Sequence, residues 1–203
     1  LAASLSDPIN LSIGIPDFDV PEPIKLAACE AISSGRNGYS QTQGLPELIS
    51  WVENKYGISG NKDIRSFITP GVSAGLVLAY LSIADVGDEV LIPDPYFCMY
   101  RDLAKLFGIV PTYYDTYPDF KFRVSEVEKS ITSKTKAIVV GSPSNPTGYA
   151  FSEDEIAQII AVAQKNDLWI IFDEIYDTFV YDGVPASPFG KYEKTIVLNS
   201  FSK

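Results

Sequence analysis

The sequence contains no histidine among its 203 residues. This absence excludes catalysis by Ser-His-Asp or Cys-His groups and excludes zinc sites that need histidine ligands. Cysteine is scarce as well, since Cys29 and Cys98 are the only two and lie in different segments. They predict neither a disulfide framework nor a four-cysteine metal site, so no metal site is expected. Proton transfer by this chain would therefore use Lys, Tyr, Asp, Glu or a bound cofactor.

Positive charge is in deficit, with 16 Lys and Arg against 26 Asp and Glu and a formal net charge of −10. An acidic surface disfavours nucleic acid and anionic membranes as partners. The sequence has no apolar run long enough to span a bilayer and no charged-then-apolar leader, so we expect neither a membrane span nor a secretory signal. The few cysteines favour a reducing, cytoplasmic location.

What is present is enough apolar sequence, 46%, to bury a sizeable core. Two amphipathic helices are predicted at 21–34 and 45–56, and strands then alternate with helices. The predicted strands are 65–69, 89–93, 109–114, 136–141, 168–172, 179–181 and 196–198. This alternation predicts an α/β fold whose mostly parallel sheet is sandwiched by helices, with ligands bound outside the carboxyl ends of its strands.

Two charged residues follow buried strands at that edge. Asp173 ends an apolar strand, where a carboxylate needs a partner such as a protonated pyridine nitrogen; the alternative is a helix N-cap. Tyr176 could reach a phenolate oxygen on the same ring. Lys203 follows the strand 196–198 and could form a Schiff base with a carbonyl, while Ser200 holds a phosphate nearby. Taken alone, that last segment fits a solvated polar turn equally well.

Four further candidates are weaker when taken singly. The segment Gly-Val-Ser-Ala-Gly at 71–75 joins a strand to a helix and could bind an anion through backbone N–H groups, or be a plain tight turn. Phe97 could stack on a planar ring or pack in the core. Asn145, in an Asn-Pro-Thr-Gly turn, could donate to a ligand oxygen or only form the turn. Gly14 could allow close backbone approach to a ligand.

In chain order, these segments resemble the fold-type I aminotransferases of class I/II. Each motif is unspecific, but the ordered set is specific and covers nearly the whole chain. The matching segments are Gly-Ile-Pro-Asp-Phe at 14–18, Gly-Tyr at 38–39, Thr-Pro-Gly-Val-Ser at 69–73, Asp-Pro-Tyr-Phe at 94–97, Asn-Pro-Thr-Gly at 145–148, Asp-Glu-Ile-Tyr at 173–176 and Ser-Phe-Ser-Lys at 200–203.

The resemblance implies an enzyme that uses pyridoxal 5'-phosphate to move an amino group between an L-amino acid and a 2-oxo acid. It implies that Lys203 binds the cofactor as a Schiff base and then moves a proton, and that Asp173 keeps the ring nitrogen protonated. Some relatives support this aspartate with a histidine, which this chain lacks. By the same resemblance, Tyr176 and Asn145 would bind the ring oxygen, and Phe97 would stack on the ring face. The phosphate would be held by Ser73, Ala74 and Ser200, and the substrate carboxylate would lie beside Gly14 and Asn145. Tyr39 would reach the phosphate of the neighbouring subunit in a homodimer.

The resemblance also implies a division of the chain. Residues 1–20 would belong to the small domain and 21–203 would form an incomplete large, cofactor-binding domain, with the C-terminal small domain missing. None of the four arginines in the sequence matches the arginine that the family uses to bind the substrate carboxylate. We therefore expect the fragment alone to be inactive. Two alternatives stay open: a lyase or synthase with the same cofactor, and a non-catalytic ligand-sensing domain of a transcription regulator.

Overall fold

The computed structural model describes residues 18–203. Contacts within the chain define two compact units, Leu1–Phe67 and Ile68–Lys203. Gly14 and most of the predicted N-terminal segment lie outside the described residues. In the part that is described, no helix has the length and apolarity needed to cross a membrane.

The first unit contains two helices, α1 at Glu22–Ser33 and α2 at Pro46–Lys55. Both begin with a proline in the first positions, where the missing N–H costs no helical hydrogen bond. Both are followed by a glycine in the left-handed region, Gly35 and Gly57, which ends the helix without a Cβ clash. The sequence predicted these helices to within one or two residues.

The second unit is a five-stranded parallel sheet flanked by helices. This confirms the predicted α/β class. The strands are β1 Glu89–Asp94, β2 Val110–Asp115, β3 Thr135–Gly141, β4 Trp169–Asp173 and β5 Thr195–Leu198, and they lie in the order β2-β1-β3-β4-β5. The helices are α3 Gly71–Ile83, α4 Cys98–Leu106, α5 Val124–Ser130 and α6 Glu153–Lys165, with a short 3₁₀ helix at Asp177–Phe179.

Alternating side chains of the central strands enter two separate cores. Ile138 and Val140 of β3 join a cluster with Ile156 and Ile159 of α6. Val139, between them, joins a second cluster that includes side chains of α3 and α4. Because successive strand residues point to opposite faces, helices cover the sheet on both sides. Each fully buried aliphatic side chain contributes roughly 1.5–3 kcal/mol to this packing.

Two predicted strands are absent from the described residues. Residues 65–69 pair with no strand of the sheet, and without a ladder partner their backbone does not form a strand. The 179–181 segment begins inside the 3₁₀ helix, in which the backbone N–H groups of Asp177 and Phe179 donate to the carbonyls of Glu174 and Tyr176, at 2.9 Å each. Helix α3 begins at Gly71, inside the predicted turn, where Gly71 has a φ of 76°.

Candidate active site

Asp173 lies at the carboxyl edge of the sheet, at the end of the fourth of its five strands. It is the last residue of β4 and pairs in register with Gly141 of β3 and Leu198 of β5. Only 5% of the residue is exposed. The edge therefore carries a buried carboxyl group between the two turns that follow β3 and β5, as the parallel arrangement predicts.

Two hydrogen bonds hold this carboxyl group. The Tyr100 hydroxyl donates to Asp173 Oδ2 at 2.7 Å, and the Ile175 backbone N–H donates to Oδ1 at 3.1 Å. Burial raises the pKa of Asp173, and the two hydrogen bonds offset that rise only in part. A cation placed against this group would favour its ionised form. The site is thus suited to bind a protonated nitrogen.

Tyr100 is the site residue that sequence reasoning missed. It lies on α4, is 3% exposed, and meets the ring of Phe97 edge-on with 5.6 Å between centroids. Its position three residues after Phe97 places it one helical turn further along, which was the available signal. Its hydrogen bond to Asp173 joins residues 73 apart in the chain, and only the tertiary fold brings them together.

The start of α3 and the end of β5 approach each other closely. A β-carbon at Gly75 would lie 3.0 Å from Leu198 Cδ2, so any larger residue there would push the Leu198 side chain away by a few tenths of an ångström. Ser73 and Ala74 occupy the first turn of α3, whose N-terminus has no side-chain cap. Uncapped N–H groups at a helix start favour an anion.

Ser200 lies two residues beyond Leu198 and is half-buried. Its backbone N–H donates to Asn199 Oδ1 at 2.7 Å, and its hydroxyl donates to the Ser202 hydroxyl at 3.0 Å. Asn199 in turn donates to Asp177 Oδ2 at 3.0 Å, which ties the β5 turn to the segment after β4. These bonds fix the hydroxyl-rich turn that leads to Lys203.

Asn145 and Tyr176 follow neighbouring strands. Asn145 is half-buried in the turn after β3, which a 2.7 Å bond from the Gly148 N–H to the Ser144 carbonyl closes. Tyr176 is half-buried after β4 and meets the ring of Phe179 edge-on, with 6.2 Å between centroids.

Two of the remaining predicted residues are exposed. Lys203 is exposed, five residues beyond the end of β5. Tyr39 belongs to the first compact unit, and its side chain is fully exposed. Gly14 falls outside the described residues. No cluster of three or more His, Cys, Asp or Glu side chains suited to a metal ion occurs within residues 18–203.

Comparison with known proteins identifies the family. The model of the family described as "Aminotransferase class I and II" matches residues 6–203. A probable aspartate aminotransferase of Methanocaldococcus jannaschii is 39% identical over 98% of this chain and 54% of its own length. Aromatic-amino-acid aminotransferase 2 of Thermococcus litoralis is 38% identical over 100% of this chain and 55% of its own length.

Solved structures of aminotransferases have the same fold as this chain. A mutant aspartate aminotransferase of Thermus thermophilus superimposes with a TM-score of 0.87 at 32% identity, over 95% of this chain and 52% of that one. An aromatic aminotransferase of Pyrococcus horikoshii superimposes with a TM-score of 0.89 at 34% identity, over 98% of this chain and 56% of that one. The chain thus spans about half the length of the relatives it matches. On the match to residues 6–203, the chain belongs to the family of class I and II aminotransferases.

Proposed function

We propose that the whole protein is a pyridoxal 5'-phosphate-dependent aminotransferase acting on an L-amino acid and a 2-oxo acid. The observation that carries this proposal is the Asp173 carboxyl group, buried at the carboxyl edge of the sheet and held by two donors. A buried acid without a cation is costly, and a protonated pyridine nitrogen supplies that cation. Family membership makes this the expected cofactor.

The residues of this edge fit that cofactor. When bound, pyridoxal phosphate supplies an electron sink for negative charge at the substrate α-carbon. Asp173 would bind the ring nitrogen and keep its proton in place, and Phe97 would stack against the ring face. Asn145 and Tyr176 bind the ring oxygen from the turns after β3 and β4.

The phosphate subsite uses the start of α3. Backbone N–H groups of its first turn, with Ser73 and Ala74, and the Ser200 hydroxyl hold the phosphate. The support for this assignment is the uncapped helix start and the close contact of Gly75 with Leu198, just before Ser200. A helix N-terminus favours a bound anion by its dipole and its unpaired donors.

Lys203 would hold the cofactor through its amine and would carry a proton to or from the substrate α-carbon. Gly14 and Asn145 bind the substrate carboxylate. Tyr39 reaches the phosphate of a neighbouring subunit, so the enzyme is a homodimer with shared sites. We further propose that it acts in the cytoplasm.

The test is product analysis on the whole protein with cofactor, an amino donor and 2-oxoglutarate. The proposal predicts stoichiometric formation of glutamate and the 2-oxo acid of the donor. Asp173→Asn should reduce this turnover by at least about a hundredfold, since breaking a buried ion pair costs roughly 3–5 kcal/mol. Elimination or substitution products without glutamate, or near-normal turnover of Asp173→Asn, would contradict it.

A further inference from the structure

A chain of two hydrogen bonds links three elements of the second unit. The Tyr80 hydroxyl of α3 donates to the Tyr100 carbonyl at 2.8 Å, and the Tyr100 hydroxyl of α4 donates to Asp173 Oδ2 at 2.7 Å. We infer that Tyr100 is a positioning residue that orients the Asp173 carboxylate and favours its ionised form. This inference rests on the proposed role of Asp173 toward a cofactor ring nitrogen.

The direction of the hydrogen bond is fixed by chemistry. Burial, and then the negative charge of Asp173, raise the pKa of Tyr100 well above its usual value, so its hydroxyl keeps its proton. A protonated phenol that donates to a carboxylate stabilises the charged form of that carboxylate. The Tyr100 hydrogen bond therefore lowers the pKa of Asp173, which burial raises.

The hydroxyl is also held in place. Tyr100 is 3% exposed, and its ring meets Phe97 at an interplanar angle of 87°. Its oxygen lies 3.1 Å from the position that a β-carbon would take on Gly141. Tyr80, fully buried, holds the backbone carbonyl of Tyr100 by a hydrogen bond from its hydroxyl. Such a residue has little freedom to rotate, so it transmits a defined orientation to Asp173.

The choice of tyrosine has a consequence for pH dependence. The titratable groups that act on Tyr100 are Asp173 on β4, Tyr80 on α3 and Tyr114 on β2. Burial raises the pKa of both neighbouring tyrosines above their usual range. An imidazole in the place of Tyr100 would change charge between roughly pH 5 and 8, whereas a phenol does not. The support for Asp173 is thus constant over the physiological range.

The experiment compares Tyr100→Phe with the matched control Tyr114→Phe in the whole protein. Tyr114 is also buried, at 1% exposure, but its hydroxyl donates to the Val139 carbonyl at 3.3 Å instead of to a carboxylate. Two quantities are measured: the Asp173 titration, by carboxyl carbon NMR without cofactor, and the dissociation constant of pyridoxal phosphate. Tyr100→Phe should move the Asp173 titration to higher pH and weaken cofactor binding about tenfold. Tyr114→Phe should change neither.

An unshifted Asp173 titration in Tyr100→Phe, or an equal shift in Tyr114→Phe, would overturn the inference. Should Tyr100→Phe fail to fold, Gly141→Ala displaces the hydroxyl without removing it and must give the same two changes. Asp173→Asn separates this inference from the proposed function. If Asp173→Asn binds the cofactor normally, the proposed function fails; if it binds weakly while Tyr100→Phe matches the wild type, only the inference fails.

Discussion

The Tyr100 hydroxyl lies 3.1 Å from the site of a β-carbon on Gly141, and it donates to Asp173, the residue paired with Gly141 across β3 and β4. The last residue of β3 must therefore be small for a tyrosine of α4 to reach the last residue of β4. Gly141 is needed here for space, since its backbone is outside the left-handed region.

Gly141→Ala should strain this contact. A β-carbon at 3.1 Å requires the hydroxyl to move by a few tenths of an ångström, which lengthens its bond to Asp173. We expect the free energy of unfolding to fall by about 1–3 kcal/mol, as for other overpacked sites, and cofactor binding to weaken. Chemical denaturation and a cofactor titration measure the two effects.

A double-mutant cycle is the control for Gly141→Ala. In a Tyr100→Phe background the oxygen is gone, so the added methyl group should cost less than it does in the wild type. Equal costs in the two backgrounds would show that the methyl group clashes elsewhere and that the Gly141 contact with Tyr100 is unimportant.

Asp173→Asn should change how stability depends on pH in the protein without cofactor. Because burial raises the pKa of Asp173 above 3.8, the folded state keeps its proton where the unfolded chain has lost it. Wild-type stability therefore falls as pH rises from 3.8 through the raised pKa, and the asparagine variant lacks this loss. The stability of the variant relative to the wild type should increase from acid to neutral pH.

Thermal unfolding at several pH values tests this expectation. Each kcal/mol of unfolding free energy should shift the melting temperature by about 2–4 °C. The matched control is Asp115→Asn at the end of β2, where the carboxylate is exposed. If the stability of Asp173→Asn relative to the wild type stays constant or decreases toward neutral pH, burial does not raise the pKa of the Asp173 carboxyl group.

Ser152→Ala should weaken the start of α6 without affecting the cofactor. Ser152 Oγ accepts the Glu155 N–H at 3.3 Å, and the Ser152 N–H donates to Glu155 Oε2 at 2.9 Å. Loss of such a cap costs about 1 kcal/mol. Denaturant unfolding measures the effect, and Gln158→Ala, exposed in the middle of α6, is the control expected to cost less. An unchanged midpoint for Ser152→Ala would argue against the capping box.

Local sequence signals predicted most of the elements. The amphipathic patterns of α1 and α2 are short-range features, so these two helices were predicted to within one or two residues. Asp173 was found because an acid directly after an apolar strand is conspicuous. The rule that parallel strands share a carboxyl edge then predicted its neighbours.

Long-range relationships could not be predicted in this way. Residues 65–69 have the composition of a strand, but pairing depends on a partner elsewhere in the chain. Tyr100 was missed because its bond to Asp173 depends on how α4 packs on the sheet and on the absence of a side chain at Gly141. These relationships depend on tertiary packing, which the spacing of apolar residues along the sequence does not predict.

The measurement that tests the central claim most directly is the position of the cofactor on the chain. The whole protein is loaded with pyridoxal 5'-phosphate, reduced with borohydride, digested and mapped by mass spectrometry, with Lys203→Ala treated in parallel. The account predicts a single phosphopyridoxyl group on Lys203 and none on the variant. Stoichiometric labelling of another lysine, or equal labelling of Lys203→Ala, would contradict it.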